Sequence, residues 1–318
     1  MATSLLPWIV LIGYVLLLLL FDYFVLHKKG SVPSSKKALL ETLFFVGNAL
    51  LFSGALYFFY LKGMVDNPNG FSATKSWLDY LSGYIIELSL SVDNLFVIAV
   101  IFTSFKVPLK HQHRLLFLGI LGALVFRGIM ISLGIILINK FHQMSIVFGL
   151  FLLYTAFKML KKEAQHEEPH EPKGLSKLFR FTKIIDGGKF VTHVEGKKVF
   201  TALFGALVTI EFTDLLFALD SIPAIFAVTT DPFVVFSSNI FAIMGLRSLY
   251  FFLANMLERF RYLKYSVFAI LIFVSIKLMS ASLLDIPEWF SLAFIVLSLA
   301  GGVYVSLLNA KNEESSEG

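Results

Sequence analysis

Of 318 residues, 57% are hydrophobic and 15% charged, against about 45–50% and about 25% in a soluble domain, and the mean hydropathy of +0.78 excludes an ordinary water-soluble globule. Cysteine is absent, which excludes disulfides, thiolate-held zinc, iron–sulfur clusters and thiol nucleophiles, so a metal here is held by oxygen or by His. The net charge of +5 implies no nucleic-acid partner, because in a membrane protein Lys and Arg chiefly report which loops stay in the cytosol.

The first apolar run, Leu5 to Leu26, has no basic residue before it and no small-residue cleavage site behind it, so it reads as a retained helix, stopped by His27, Lys28 and Lys29. Further runs follow at about 38–61, 80–105, 115–138, 143–160, 199–228, 233–256, 265–284 and 288–309. Each is long enough to cross the hydrocarbon of a bilayer, which predicts an all-α polytopic membrane protein of about nine transmembrane helices. With the N-terminus outside, the cytosolic segments collect Lys28, Lys29, Lys36 and Lys37, then Lys106, Lys110 and Arg114. They continue with nine Lys or Arg over 161–198, then Arg259, Arg261, Lys264 and Lys311, against Lys62, Lys75 and Lys140 outside. That asymmetry predicts an N-terminus outside and a C-terminus in the cytosol. Single cysteines replacing Ser72 and Lys173 are therefore expected to label from opposite sides with an impermeant thiol reagent; same-side labelling ends the nine-span arrangement.

The loop 161–198 carries Glu163, Glu167, Glu168 and Glu171 with His166, His170 and His193, near Pro169 and Pro172. It reads as a polar linker followed by a short amphipathic piece, a solvated segment being favoured over a metal sensor.

Glu87, Asp93, Glu211, Asp214 and Asp220, with Arg127, Lys158, Arg247 and Lys277, fall inside the apolar runs. An ionisable side chain at the bilayer centre costs at least about 2.5–3.5 kcal/mol, so nine of them predict an internal polar cavity in which they pair. Their order repeats. Glu87, Asp93, Arg127 and Lys158 are echoed by Asp214, Asp220, Arg247 and Lys277, with carboxylates six apart in both sets and Arg-to-Lys gaps of 31 and 30. Each unit spans three helices, an odd number, so the copies enter the membrane from opposite sides: a 3+3 inverted repeat, the plan of a secondary transporter with its site at the midplane. The chain then divides into a peripheral two-helix segment 1–78, repeat 1 at 79–160, the cytosolic loop 161–198, repeat 2 at 199–284, and a last helix with its tail at 285–318.

Six residues turn a helix by about 600°, leaving such carboxylates about 120° apart, so their convergence on one ion calls for a helix interruption. Pro223, which cannot donate to the Leu219 carbonyl, is expected to supply one beside Asp220. Oxygen donors without thiolates suit Mg²⁺, Ca²⁺ or Mn²⁺. Asn94 and Ser221 are candidate ligands beside the carboxylates and Asn239 a weaker one, although amides and hydroxyls in membrane helices often bond neighbouring helices instead. Arg127 and Arg247 are expected to clamp carboxylates in preference to gating, whereas Lys158 and Lys277 are as readily explained by snorkelling. Asp22 reads as interfacial.

The runs ELSLSVDN and EFTDLLFALDSIPAIFAVTTDPFVVFSSNIFAIMGLRSLYF resemble, without departure, the motifs of the TerC family of bacterial membrane proteins, and the plan from about residue 5 to 309 is similar to its Alx branch. The family is named for tellurium resistance, but the resemblance implies manganese efflux across the bacterial inner membrane, with some members supplying manganese to secreted proteins. It also implies that the acidic positions Glu87, Asp93, Glu211, Asp214 and Asp220, with Asn94, carry the site. Three readings follow: a Mn²⁺ exporter exchanging metal for protons, a membrane partner supplying metal to secreted proteins, and an exporter of a small organic solute such as an amino acid. The expected partners are the divalent ion, protons and the lipid bilayer, with a homo-oligomer compatible. No permanently bound cofactor and no enzymatic activity are expected, because no phosphate loop, ATPase motif or nucleophile constellation occurs.

Overall fold

The computed structural model describes residues 2–26, 34–67, 70–141, 144–162, 185–194, 197–253, 262–280 and 286–316. Among them are ten helices: α1 (Ala2–Phe21, prolonged by a π-helical turn, Asp22–Leu26), α2 (Ser35–Leu61), α3 (Ala73–Ser104), α4 (Leu109–Lys140) and α5 (Met144–Lys162). After these come α6 (Ala202–Phe226), α7 (Pro232–Met244), α8 (Leu246–Leu253), α9 (Leu263–Ser280) and α10 (Glu288–Ser316). The all-α polytopic membrane fold read from the sequence is the observed one.

Local chemistry sets several boundaries. Ser34 and Ser72 cap α2 and α3 by accepting hydrogen bonds from the Lys37 and Lys75 amides at 3.4 and 3.1 Å. Asp231 caps α7 by accepting from the Phe233 and Val234 amides at 2.9 and 3.2 Å, with Pro232 in the first helical position where its missing N–H costs nothing. Burial nevertheless holds the Asp231 carboxyl above the usual range.

Six stretches are long and apolar enough to cross a membrane: Leu5–Leu26, Ser35–Leu61, Leu109–Ile138, Ala202–Phe226, Pro232–Phe252 and Trp289–Asn309. Of the other expected spans, 80–105 lies in α3, whose Glu87, Asp93 and serines dilute its apolar character, 143–160 is α5, and 265–284 begins in the shorter apolar helix Tyr265–Ser280. Outward faces of α1, α2, α4 and α10 expose Leu16, Leu51, Ile136 and Leu297, as a lipid-facing surface requires.

One expectation about a backbone break needs correcting. Pro223 does not interrupt α6, which continues to Phe226; only one bond is lost in the last turn, and Ile222, Ala224, Ile225 and Phe226 are packed on every side. The interruption falls instead in the 233–256 run, where α7 ends at Met244 and α8 starts at Leu246, with Gly245 between them keeping helical dihedrals of −78° and −13°.

Packing is reciprocal. α3 packs on α7 and α4 on α6; α3 also meets α6, α4 meets α7, and α5 lies along α9. α1 and α2 are less peripheral than their sequence suggests: Leu11, Val15, Leu18, Phe45 and Phe52 belong to the largest hydrophobic core, and Trp8 meets Phe233 edge-on at 5.2 Å.

The described end of the 161–198 loop forms an antiparallel hairpin, β1 (Val191–Val194) and β2 (Lys197–Phe200), with His193 opposite Lys198. His166 and His170 lie outside the described residues. Arg114 at the start of α4 donates to the Gly188 carbonyl at 2.8 Å and lies over Phe190, while Thr201, just before α6, donates to the Lys189 carbonyl at 2.8 Å. Gly188 has φ +88°, and a Cβ there would meet His111 at 3.0 Å, so only glycine fits this close approach. The Thr192 hydroxyl and Lys189 hold the Asp186 carboxyl below the usual range. The hairpin thereby ties the start of α4 to the start of α6.

Candidate functional site

The site is built around one arginine. Arg127 sits on α4, 1% exposed, with carboxylates of two other helices and an amide of a third converging on it. Its Nε and Nη2 donate to the two oxygens of Asp214 on α6 at 3.2 and 2.9 Å, the fork geometry in which guanidinium and carboxylate match best. Its Nη1 reaches Glu87 on α3, Asn239 Oδ1 on α7 at 3.3 Å and Ser221 Oγ on α6 at 3.5 Å. Asn239 donates in turn to Glu87 Oε2 at 3.1 Å and Ser91 to Glu87 Oε1 at 3.3 Å, so both oxygens of this buried carboxylate are satisfied.

Helix periodicity explains the convergence. Glu87 and Asn94 are seven residues apart on α3, as are Asp214 and Ser221 on α6; seven residues return to within about 20° of the same direction. Asn94 is buried accordingly. Glu211, one turn before Asp214, points its carboxylate at α4, into the space that a Cβ on Gly122 would fill. Its Oε2 is buried without a hydrogen-bonding partner among the described residues. Gly122→Ala is therefore expected to push that carboxylate aside at little cost in stability, because the atoms in its way are the free end of a flexible side chain and alanine favours the helix over glycine by about 0.8–1.0 kcal/mol. Thermal denaturation in detergent checks it: the midpoint should stay close to that of the parent, and a large fall contradicts it.

Below the cluster lies a cavity of about 30 Å³, room for one water or a bare ion, lined among others by Leu95, Ala123, Ile210, Asp214 and Arg247.

The structure thus brings together Glu87, Asp214, Ser221 and Arg127, sets Glu211 beside them, and leaves Asn94 two turns along α3. Asp93 and Asp220 occupy helical positions one residue before Asn94 and Ser221, but their side chains, like that of Lys158, lie outside the described residues. Both arginines hold carboxylates: Arg127 those of Glu87 and Asp214, and Arg247, at the start of α8, that of Asp22 at the end of the first helix. Lys277 donates to Ser291 of α10 at 2.9 Å. Asn239, weighted low from sequence, is central; the polar run Ser237, Ser238 and Asn239 inside an apolar span was its signal. Among the described residues no group of three or more His, Asp or Glu side chains already stands in metal-holding geometry.

A polytopic helical bundle with a buried cluster of Glu87, Arg127 and Asp214 between its helices is an integral membrane protein with a polar interior. The chain belongs to the integral membrane protein TerC family, whose sequence profile matches residues 72–314. It is 40% identical over 314 residues to the membrane protein STKORF319 of Myxococcus xanthus, covering 98% of this chain and 94% of that one. It is 40% identical over 304 residues to a membrane protein of Rickettsia felis, covering 95% and 97%. It is also 40% identical over 285 residues to an Escherichia coli K12 protein provisionally named membrane-bound redox modulator Alx, covering 88% of each chain. No solved structure matches.

Proposed function

We propose that the protein is a secondary transporter exporting Mn²⁺ from the cytosol in exchange for protons, with the N-terminus outside and the C-terminus inside the bacterial inner membrane. The observation that carries this reading is the excess of negative charge at the centre of the bundle: among the described residues, Glu87, Asp214 and Glu211 stand around one cation, Arg127. Arg127 holds two of these carboxylates; Glu211 keeps a buried oxygen without a partner among the described residues and is available to a cation or a proton. Asp93 and Asp220, on the same two helices as Glu87 and Asp214, complete the ligand set in this reading. A set of oxygen donors that must lose protons to hold metal couples the two by mass action.

The packing supports the inverted repeat. Exchanging α3 for α6, α4 for α7 with α8, and α5 for α9 maps the most extensive contacts among these helices onto themselves, as expected of a two-fold axis in the membrane plane. Arg127 also grips Glu87 and Asp214, the residues that correspond in the two halves. The described cavity beside Asp214 has the size of an ion, which favours an ion over an organic solute. With no cysteine in the chain, a redox role of the kind in some relatives' names would run here through the transported metal.

Flux from proteoliposomes with competing Mn²⁺, Mg²⁺ and Ca²⁺ tests the reading. Outward Mn²⁺ flux should rise as the outer side is acidified, because protons arriving there displace the metal, until protonation blocks the site; collapsing the gradient should slow it. Flux indifferent to the proton gradient removes exchange and leaves export. Purified protein inactive in liposomes, with cellular manganese unchanged on deletion, favours the metal-supply role.

A further inference from the structure

We infer that Asp22 and Arg247 form the cytosolic gate of the pathway, so that the first helix, outside both repeats, controls access to the central site. The inference rests on the transport reading for its meaning but on separate residues for its geometry. Asp22 lies in the π-helical turn that ends α1, and Arg247 lies two residues past the helix interruption at Gly245; both are about 2% exposed and form an ion pair. The Arg247 guanidinium also stands over the Phe117 ring of α4 at 5.8 Å, and Tyr23, next to Asp22, packs on the same ring at 5.1 Å. One side chain therefore joins α1, α4 and α8.

The cavity gives this junction a direction. Its lining runs from Asp214 to Arg247 through Leu95 and Ile98 of α3, Leu116 and Ala123 of α4, and Ile210 of α6. In the N-out arrangement α3 descends toward the cytosol and α4 and α6 rise from it, so Ile98, Leu116 and Ile210 all lie on the cytosolic side of Glu87, Arg127 and Asp214. The cavity thus leads from the central carboxylates toward the cytosol, and Arg247 closes its far end. A π-helical turn and a helix interruption meeting at one ion pair are places where the backbone can adjust without unwinding a whole helix. Separating Asp22 from Arg247 opens the cavity; joining them seals it.

The test uses the cysteine-free background with Ala123→Cys in the cavity wall and a small charged methanethiosulfonate reagent added to the cytosolic face of vesicles. Labelling should be slow with the pair intact, at least tenfold faster with Asp22→Asn, and slow again with the exchanged pair Asp22→Arg and Arg247→Asp. Should Asp22→Asn fail to fold, Arg247→Lys, which keeps the charge and loses the fork, takes its place and should give a smaller rise. Equal labelling of paired and unpaired variants overturns the gate. Faster labelling on unpairing in a protein that moves no metal in any form keeps the gate and removes the transport reading.

Discussion

Arg127→Ala is expected to cost about 3–5 kcal/mol, because it leaves Glu87 and Asp214 buried without the cation that offsets their desolvation. Against a total stability of about 5–15 kcal/mol that is enough to unfold much of the population. The cost arises from the stranded acids and not from the missing attraction, so it can be reversed without restoring the ion pair. Arg127→Met combined with Glu87→Gln and Asp214→Asn should regain most of the lost thermal midpoint in detergent while moving no metal. Arg127→Lys should fall between, since an ammonium supplies charge but cannot span both Asp214 oxygens and reach Glu87, Ser221 and Asn239 at once. A single alanine variant with an unaltered midpoint would contradict the buried network.

Glu211→Gln is expected to do the opposite: fold normally and fail to transport. Its Oε2 makes no hydrogen bond among the described residues that replacement would break, so the midpoint should stay close to that of the parent. Removing a charged ligand worth about 1.5–3 kcal/mol should weaken cation binding roughly 10- to 100-fold. Asp93→Asn and Asp220→Asn, as corresponding positions of the two halves, should be at least as severe. Binding isotherms and proteoliposome flux on the same preparations separate the effects, and normal binding and flux in both Asn variants would place the site elsewhere. The contrast with Arg127 divides the central charges into those that hold the bundle together and those that carry the ion.

Much of this was legible in the sequence. Charged residues interrupting apolar runs, and their repeated order, single out Glu87, Arg127 and Asp214 before any coordinates, because an unpaired charge in hydrocarbon is too costly to be incidental. The seven-residue spacings Glu87 to Asn94 and Asp214 to Ser221 carry the shared faces. What stayed hidden depends on contacts without a period. Asp22 and Arg247 stand 225 positions apart, and no spacing rule joins them. Pro223 looked like a break because its missing N–H is a local fact, whereas the packing that carries α6 past it is tertiary. The hairpin at 191–200 was obscured by a charged loop whose short strands bury too little apolar surface to show alternation.

The enclosure of α7 and α8 bears on how the chain is made. Pro232–Phe252 is the least hydrophobic of the six spans and the most completely buried, and it brings Asn239 and Arg247 with it. Such a segment partitions poorly into lipid by itself, since an arginine in a membrane helix opposes insertion, by up to about 2.5–3.5 kcal/mol at the centre. Its acceptors, Asp22 on α1 and Glu87 on α3, are synthesised earlier and are already in the bilayer when the ribosome delivers it. The N-terminal helices thus serve as a receptor for a late and reluctant helix, and a lesion at Asp22 should appear first as defective biogenesis in the cell and only then as altered behaviour of the finished protein.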